Sequence, residues 1–385
     1  MKIWILLLIP IAAIIVMLMF YRKKIALWEY LTLFGASFMI ILISKLIITS
    51  SMTSDIEFHS EPAYKVKYEG SWSEWIKDEC SYDCFCTTDD EGYEHCQTCW
   101  EDCSYRKYHS DSWSIISKSG RSYRISESEY ARISKKWGEK KIGNHSGRKV
   151  RDDKGIYEAI CLNESIDMLE CMVTKHTYEN KVQYSNSEYG FEEVSEEDVK
   201  AYNLYEYPSI YETYKQQHIL GDGDITKAQA VKNMNMLNAQ LGPKKQVQAF
   251  ILIFKNQPFE TGKMQEGYWK GGNKNEFVLT IGVDSDNKIE WVYPFTWSEE
   301  ESVKKNIKRH VMNQSDLNLA EISEYMYEEL DRGFVRKPFA DFDYLTVEPS
   351  SRAINISMII LMVFTIGFVI FSIMNKHDAK SGVEN

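Results

Sequence analysis

The side chains whose types and spacing could do chemistry in this sequence are first of all its cysteines. All eight lie between residues 80 and 171: Cys80, Cys84, Cys86, Cys96, Cys99, Cys103, Cys161 and Cys171. The first six follow the nearly palindromic spacing C-x3-C-x-C-x9-C-x2-C-x3-C. Thiols at such spacing form disulfides in an oxidising compartment or bind zinc in a reducing one. An even number confined to one stretch of chain favours disulfides.

The first six cysteines can be paired from the outside inward. Opposed residues in an antiparallel ladder have a constant sum of residue numbers, and the outer two pairs share one sum. The innermost pair differs by one, which a bulge or the turn could absorb. We therefore predict a two-stranded arm over residues 79–106, with turn residues Asp89-Asp90-Glu91-Gly92 near its tip. The predicted disulfides are Cys80–Cys103, Cys84–Cys99, Cys86–Cys96 and, outside the arm, Cys161–Cys171.

The pairing remains a hypothesis, because six cysteines allow many connectivities. A zinc site is the alternative, and it requires that the domain faces a reducing cytoplasm. Its four ligands would come from Cys84, Cys86, Cys96, Cys99 and His95. With either chemistry the cysteines are predicted to be structural, because no Cys-x-x-Cys precedes a helix in a βαβ pattern as in redox enzymes.

Three apolar segments determine where such a domain can lie. Residues 3–20, 31–50 and 354–374 are almost entirely apolar, and each is near the roughly 20 residues that a helix needs to cross a bilayer. Three transmembrane helices exclude a simple cytosolic enzyme, and the long stretch between the second and third excludes a polytopic transporter. The first segment is not a signal peptide, because a basic cluster rather than a cleavage site follows it.

Basic residues in short loops predict the orientation. They are Arg22, Lys23 and Lys24 between the first two segments and Lys376 and Lys380 after the third, whereas residues 51–62 contain neither Lys nor Arg. Since basic loops remain in the cytoplasm, we predict that the N-terminus and the large domain are extracytoplasmic and the C-terminal tail is cytoplasmic. The reversed orientation is the alternative, and only with it would zinc be expected.

The charge of the large domain excludes one class of partner. The whole chain has a formal net charge of −11, and residues 51–353 carry 53 acidic and 38 basic side chains. A domain this acidic is a poor candidate for binding nucleic acid or anionic lipid.

Composition and periodicity divide the chain. We predict two transmembrane helices with a basic loop (1–50), a Cys-, Tyr- and Trp-rich β module (51–190), a connector (191–219), an α/β domain (220–347), a third transmembrane helix (354–374) and a tail (375–385). In the β module, Ser126-x-x-Glu129 predicts a helix that ends before Gly138. His109 is interpreted as a surface residue of the arm.

Strand and helix patterns alternate in residues 220–347, which predicts a layered α/β domain. Its first long helix is predicted over 226–241, with Gly242-Pro243 as its stop. The predicted buried stripe of this helix consists of Ala228, Val231, Met234 and Leu237.

One local segment carries a family resemblance. Residues 269–284 read WKGGNKNEFVLTIGVD, in which a helix leads through a glycine turn into an apolar strand. This order resembles the TPM domain family, whose members are extracytoplasmic α/β sandwiches, often membrane-anchored. The whole chain also resembles uncharacterised membrane proteins of bacteria and their large phages. The resemblance implies an extracytoplasmic α/β sandwich in residues 220–347. Together with the apolar segments and the cysteine spacing, we expect a membrane-anchored α+β protein with three transmembrane helices, a disulfide-stapled β-rich module and a TPM-like α/β sandwich.

Some TPM proteins are assigned calcium binding or acid phosphatase activity, so carboxylates near turns are candidates here. They are Asp284, Asp286 and Asp224, whose oxygen atoms could bind Ca²⁺. The alternative is ordinary turn and helix-start chemistry. In addition, Asn275-Glu276-Phe277 stands where the family has Asp-Asn-Gly, so the family's aspartate is absent.

No complete catalytic motif occurs in the sequence, and no cofactor is expected. We therefore predict a membrane-anchored extracytoplasmic binding or scaffolding protein of the cell envelope, which meets another envelope protein. The alternative is a membrane-tethered, metal-dependent phosphatase of TPM type.

Overall fold

The computed structural model describes residues 2–21, 25–88, 90, 92, 94–182, 194–345, 347 and 349–381. Within these residues the fold is α+β, as the sequence predicts. Parts of the sequence predictions lie outside the described residues: the basic cluster Arg22, Lys23 and Lys24, the turn residues Asp89 and Glu91, residues 183–193, and the tail from residue 382 on.

In the described part of the chain, the helices are α1 (Leu8–Tyr21), α2 (Leu27–Thr53), α3 (Glu127–Trp137), α4 (Glu196–Ala201), α5 (Lys227–Lys245), α6 (Glu260–Tyr268), α7 (Glu301–Met312), α8 (Leu319–Gly333) and α9 (Ser351–Ser381). The strands are β1 (Ser54–Glu69), β2 (Trp72–Ile76), β3 (Glu79–Thr88), β4 (Glu94–Asp102), β5 (Tyr105–His109), β6 (Ser112–Ser117), β7 (Ser122–Arg124), β8 (Glu139–Gly143), β9 (Ile156–Ile160), β10 (Cys171–Glu179), β11 (Ile219–Leu220), β12 (Gln248–Lys255), β13 (Glu276–Val283) and β14 (Ile289–Thr296). Short 3-10 helices cover Lys2–Leu7 and Phe339–Phe342.

These elements form two compact units. The first comprises residues 1–57, 176–192 and 338–385, and the second comprises 58–175 and 193–337. Residues 176–182, which the sequence assigned to the β module, belong to the first unit, where Tyr178 and Asn180 donate hydrogen bonds to Asp55 (3.0 and 2.7 Å). Phe339 belongs there too, because its ring packs against that of Tyr178.

The first unit contains the three apolar helices that the sequence predicts. Helices over Ile3–Tyr21, Leu27–Thr53 and Ser351–Met374 are long and apolar enough to cross a membrane. They pack through two clusters, one around Ile41 and Leu361 and the other around Leu33. Their outward-facing side chains, such as Leu46 and Val363, are apolar as well. Such a surface is unfavourable in water and suits lipid.

A six-stranded sheet organises the β-rich part of the second unit. Its order is β7-β6-β1-β9-β8, and β10 also pairs with β1. Helix α3 has the bounds that the sequence predicts, because Ser126 Oγ accepts the backbone N–H of Glu129 and Gly138 adopts a φ of 85°. The helix buries Tyr130 and Ile133 in the same core as Val66 and Ile115 of the sheet.

Strands β2 to β5 form one interrupted hairpin, the arm. Strands β2 and β5 pair at its base and β3 and β4 pair further out, so the arm begins earlier than the predicted residue 79. The three predicted cysteine pairs are those that lie at disulfide-bonding distance: Cys80–Cys103, Cys84–Cys99 and Cys86–Cys96, with Cα separations of 5.7, 5.8 and 3.9 Å.

The register of the arm differs from the prediction by two residues. Cys80 is opposed to Glu101 rather than to Cys103, so the outer disulfides join diagonal neighbours. The reason is that a step of two residues keeps both side chains on one face of the ribbon and within reach of each other. Of the two alternatives for the innermost pair, a bulge or the turn, the structure shows a bulge, since the register shifts between Cys84 and Thr87 and Phe85 has a φ of 48°.

The predicted pairing of Cys161 with Cys171 is not formed in the structure. The physical reason is that each thiol already has its own partners. Cys161 Sγ donates to the carbonyl of Asn163 (3.4 Å), whereas the buried Cys171 thiol lies in hydrogen-bonding contact with Ser60. Burial raises the pKa of both thiols, that of Cys171 to about 12, so neither is a reactive thiolate at neutral pH.

The α/β part is a four-stranded sheet, β11-β12-β13-β14, in which the first three strands are parallel and β14 is antiparallel. Helices α5, α7 and α8 cover one face through a large apolar cluster. Helix α6 and residues 199–207 cover the other face. The predicted connector 191–219 therefore contributes part of the core, because Leu204, Tyr205 and Tyr207 pack on the sheet.

The structure corrects two predictions for helix α5, its end and part of its buried stripe. The helix continues through Gly242-Pro243 to Lys245, and Gly242 is needed because any Cβ there would collide with the carbonyl of Ser60. The predicted buried stripe is confirmed at Met234 and Leu237 and is wrong at Ala228 and Val231, which are exposed. The buried face also contains Ala230 and Asn238. The buried side-chain amide of Asn238 keeps its hydrogen bonds, because it donates to the C=O of Ala249 and accepts from the N–H of the same residue.

Gly282 of β13 lies in close contact with Trp291 of the neighbouring strand β14. A Cβ at position 282 would overlap the indole of Trp291, whereas one at Gly143, also in a strand, would meet no described atom within 4 Å. We expect Gly282→Ala to lower the free energy of unfolding by about 1–3 kcal/mol through overpacking. Gly143→Ala is the control and should stay within about 0.5 kcal/mol. Thermal unfolding of the full chain in detergent checks both, and equal midpoints would contradict the packing described.

The structure predicts two free thiols and three disulfides in the chain. In denaturant without reductant, the purified chain should take up two alkyl groups, on Cys161 and Cys171, and after reduction it should take up eight. Mass spectrometry reads both numbers, and Cys161→Ser should lower each by one. Eight thiols without reduction would exclude the arm disulfides, and none would mean that Cys161 and Cys171 are joined.

Candidate functional site

The predicted metal ligands lie near one edge of the α/β sheet. Asp224 follows β11 and Asp284 follows β13, and the carboxyl ends of parallel strands share an edge. Asp224 Oδ1 accepts hydrogen bonds from the N–H and hydroxyl of Thr226, at 2.9 and 2.6 Å. Asp284 Oδ1 accepts from the N–H groups of Asp286 and Lys288, at 2.8 and 2.9 Å.

These carboxylates therefore stabilise their own turns. Among the described residues, Asp224, Asp284 and Asp286 do not belong to a group of three ligand atoms that lie within 4.8 Å of one another. Binding of Ca²⁺ at this edge, and the phosphatase activity that would depend on it, stay predictions.

Ligand atoms of three other described residues do lie within 4.8 Å of one another near the tip of the arm. They belong to Cys86, Glu94 and Cys96. Cys86 and Cys96 are paired with each other, so their sulfur atoms are not free thiolates. The zinc alternative would thus require reduction of this pair. The side chain of His95, the other ligand considered for zinc, lies outside the described residues.

One face of the arm combines an exposed indole with carboxylates. Trp100 is opposed to Ser81, and the pairs on either side of it on the same face are Glu79 with Asp102 and Asp83 with Thr98. Trp100 is 67% exposed, and Phe85 at the bulge is 79% exposed. Trp100 thus stands among three carboxylates, and we call this surface, with Phe85 beside it, the Trp100 face.

The charged side chains in the outer part of the arm are acidic. Residues 78–104 contain nine Asp or Glu and no Lys or Arg. Glu79 and Asp102 are directly opposed, an arrangement that destabilises an antiparallel pair through like-charge repulsion. Hydrogen bonds from Ser104 lower the pKa of Asp102, which keeps it ionised at neutral pH. Residues 78–104 therefore carry a surplus of negative charge, of which Glu79 alone is paired in the described structure with a basic side chain just outside them, Lys77 at 3.7 Å.

A polar cleft lies at the base of the arm. It is lined by Glu69, Trp72, Tyr108, His109, Asn144 and His145, among others, and has a volume of about 620 Å³. Strand β2 holds Trp72 opposite His109 on β5, and Ser73 of β2 also bridges to Arg151. The rings of His109 and His145 both stack on Trp72, with centroid separations of 4.2 and 4.8 Å.

Each of these two histidines is oriented by a carboxylate. His109 Nε2 lies 3.1 Å from Glu74 Oε1, and His145 Nδ1 lies 2.6 Å from Asp153 Oδ1. Burial by itself would raise the pKa of Asp153, but hydrogen bonds from His145 and Gly155 outweigh it and lower the pKa. Asp153 is thus a carboxylate at neutral pH, which can only accept.

His145 is the least exposed of the ionisable side chains that line this cleft. Its side chain is 8% exposed, and its Nε2 has no hydrogen-bond partner among the described residues. Sequence reasoning missed Trp72 and His145 and placed His109 on the surface. Extending the predicted ladder toward the base of the arm would have paired Trp72 with Asp111, two residues from its observed partner His109, and no sequence signal brings His145 to them.

A second cavity, of about 220 Å³, lies beside the buried His218. His218 Nδ1 contacts Asn235 Oδ1 (3.1 Å) and its Nε2 contacts Gln248 Nε2 (2.9 Å). Burial lowers the pKa of His218 to about 4, so the ring is neutral at physiological pH. Both ring nitrogens have partners, and the network accordingly serves to satisfy buried polar groups.

The chain was compared with protein-family models, with curated proteins and with solved structures. No family model, no curated protein and no solved structure matches it. The resemblance to the TPM family therefore stays a prediction, and a function has to be argued from the Trp100 face and from the cleft beside Trp72.

Proposed function

We propose that this chain is a membrane-anchored, extracytoplasmic binding protein of the cell envelope, and that the Trp100 face of its arm binds a basic segment of a partner protein. The observation that carries the proposal is the 67% exposed indole of Trp100 among Glu79, Asp83 and Asp102. Three apolar helices support integration into a membrane, and three cysteine pairs support an oxidising compartment.

Exposed Trp100 suits a binding role because of its energetics. Aromatic side chains at the centre of an interface often account for about 2 kcal/mol or more of the binding energy each. Lys or Arg of a partner would gain a cation–π contact with the indole and an ion pair with a neighbouring carboxylate. Nine acidic residues would also steer a basic partner toward the arm before contact.

The arm is rigid enough for such a role. Its disulfides restrict the unfolded chain, and each is worth about 2–4 kcal/mol in typical proteins. A pre-ordered surface loses little conformational entropy on binding, so more of the contact energy appears as affinity.

Site-specific crosslinking in cells tests the proposal. A photo-crosslinking amino acid would replace Trp100 in the full chain, and the control would place it at Leu162, which is 88% exposed and lies outside the arm. We expect one discrete crosslinked partner from position 100, weakened by high salt because the attraction is electrostatic. Position 162 should give none.

A measurement of affinity with that partner completes the test. Trp100→Ala should weaken binding at least about tenfold, which corresponds to about 1.4 kcal/mol. Asp83→Asn should weaken it less and reduce its dependence on salt. Crosslinking at position 162 as strong as at position 100, or unchanged affinity of Trp100→Ala, would contradict the assignment of the Trp100 face.

A further inference from the structure

A basic surface lies on the α/β part, in the same compact unit as the arm. Its centre is Phe259, which is 37% exposed and directly precedes helix α6. The ring of Phe259 packs edge-to-face against Trp291 and Tyr293 of the edge strand β14, with centroid separations of 6.1 and 5.9 Å. A ring held in this way is already ordered, so covering it with a partner costs little conformational entropy.

Two lysines from different helices lie over this ring. The ammonium group of Lys263 on α6 is 5.9 Å from the ring centroid of Phe259, and that of Lys308 on α7 is 5.8 Å from it. Both distances allow a cation–π attraction, and we call these three residues the Phe259 patch. Within the described part of the chain neither ammonium group forms an ion pair, whereas Lys304 of α7 pairs with Glu301 (2.5 Å).

Helix α7 adds further positive charge beside the Phe259 patch. Residues 302–312 contain Lys304, Lys305, Lys308 and Arg309 and no Asp or Glu. Lys305 and Lys308 are both exposed and are neighbours on the helix surface, because residues three apart lie on the same side of a helix. The large domain as a whole is acidic, so this helix presents the opposite sign of charge.

We propose that the Phe259 patch of one chain binds the Trp100 face of a second copy of this chain. The inference rests on the binding role proposed for the Trp100 face, and it names the basic partner of that face. Charge complementarity carries it, because residues 78–104 contain nine acidic and no basic side chains, whereas residues 302–312 contain four basic and no acidic ones. Surfaces of opposite charge attract each other before contact and favour each other over wrong partners.

The contacts that the two surfaces offer also match in kind. The Phe259 patch presents two ammonium groups without ion pairs, and the Trp100 face presents the carboxylates of Asp83 and Asp102. Each surface has an exposed aromatic ring at its centre. Ion pairs at the carboxylates and packing of the indole on the ring and the ammonium groups can therefore form together.

The two surfaces do not meet within one chain. Trp100 is largely exposed, and among the described residues no ion pair joins an acidic residue of β3 or β4 to Lys263 or Lys308. The partner is therefore a second molecule, and two different surfaces meet at each contact. Such a head-to-tail contact repeats from chain to chain and produces rings or rows of copies.

Sedimentation of the full chain in detergent tests the proposal. In about 0.1 M salt we expect assemblies of two or more chains, and in about 1 M salt we expect single chains, because the Debye length shortens from about 10 Å to about 3 Å. Single chains at both salt concentrations, or assemblies that do not respond to salt, would overturn the proposal.

Two variants distinguish a head-to-tail contact from a surface that meets its own copy. Trp100→Ala and Lys308→Glu should each weaken self-association at least about tenfold. An equal mixture of the two should form dimers again, because the unchanged patch of the first variant can bind the unchanged arm of the second. Restored dimers would also show that both variants are folded, and a mixture that stays monomeric would contradict the contact.

Further variants keep the test specific. Lys263→Glu changes the same patch from the other helix, so it should behave as Lys308→Glu does and should also be restored by Trp100→Ala. Lys135→Glu is the matched control, because Lys135 is likewise an exposed lysine near the end of a helix, α3, without an ion pair in the described structure. It should associate as the unmodified chain does, and a loss equal to that of Lys308→Glu would overturn the assignment of the patch.

The crosslinking at position 100 separates this inference from the proposed function. A product of two copies, joined at residues 256–312 of the second, supports both. A product with a different protein supports the binding role of the Trp100 face and overturns the second copy as its partner. Absence of any product overturns both.

Discussion

The arm has no hydrophobic core behind it, and its other properties follow from this constraint. Of the described side chains in β3 and β4, only Cys84 and Cys99 are even half-buried, and these two are joined to each other. A two-stranded ribbon alone is marginally stable in water. Cysteine pairs therefore stabilise the arm, whereas apolar burial stabilises the rest of the second unit. Its remaining side chains are released from packing, which is why an indole and several carboxylates can face solvent there.

The α/β part obeys the opposite constraint. Strands β12 and β13 are buried on both faces, so their side chains are almost all apolar and the polar side chains beside them depend on hydrogen bonds to other segments. Gln248 illustrates this, because its amide accepts from Ser60 and donates to Gln216 and His218. Asn275 likewise donates to the carbonyl of Phe58. Such contacts join the α/β part to the β-rich part within the second unit and leave few groups free for chemistry.

Strands β2 and β5 connect the Trp100 face with the cleft beside Trp72. Their ladder continues toward β3 and β4, which hold the Trp100 face, and its other end places Trp72 beside His109. The two surfaces differ, because the Trp100 face offers charge and an exposed ring, whereas the cleft is lined by Trp72 with the rings of His109 and His145 stacked on it.

Local patterns in the sequence determined the apolar helices, the bounds of α3 and the three cysteine pairs of the arm, because each depends on neighbours along the chain or on one hairpin. The strand register of the arm was predicted less well, because a disulfide can join diagonal neighbours as readily as directly opposed residues. Tertiary structure alone decided that α5 continues past Pro243, that Cys161 and Cys171 stay apart, and that His145 meets Trp72. The physical reason is that contacts from distant segments take part in each case, Ser60 with Gly242 and with Cys171 and Trp72 with His145, and no local pattern records such contacts.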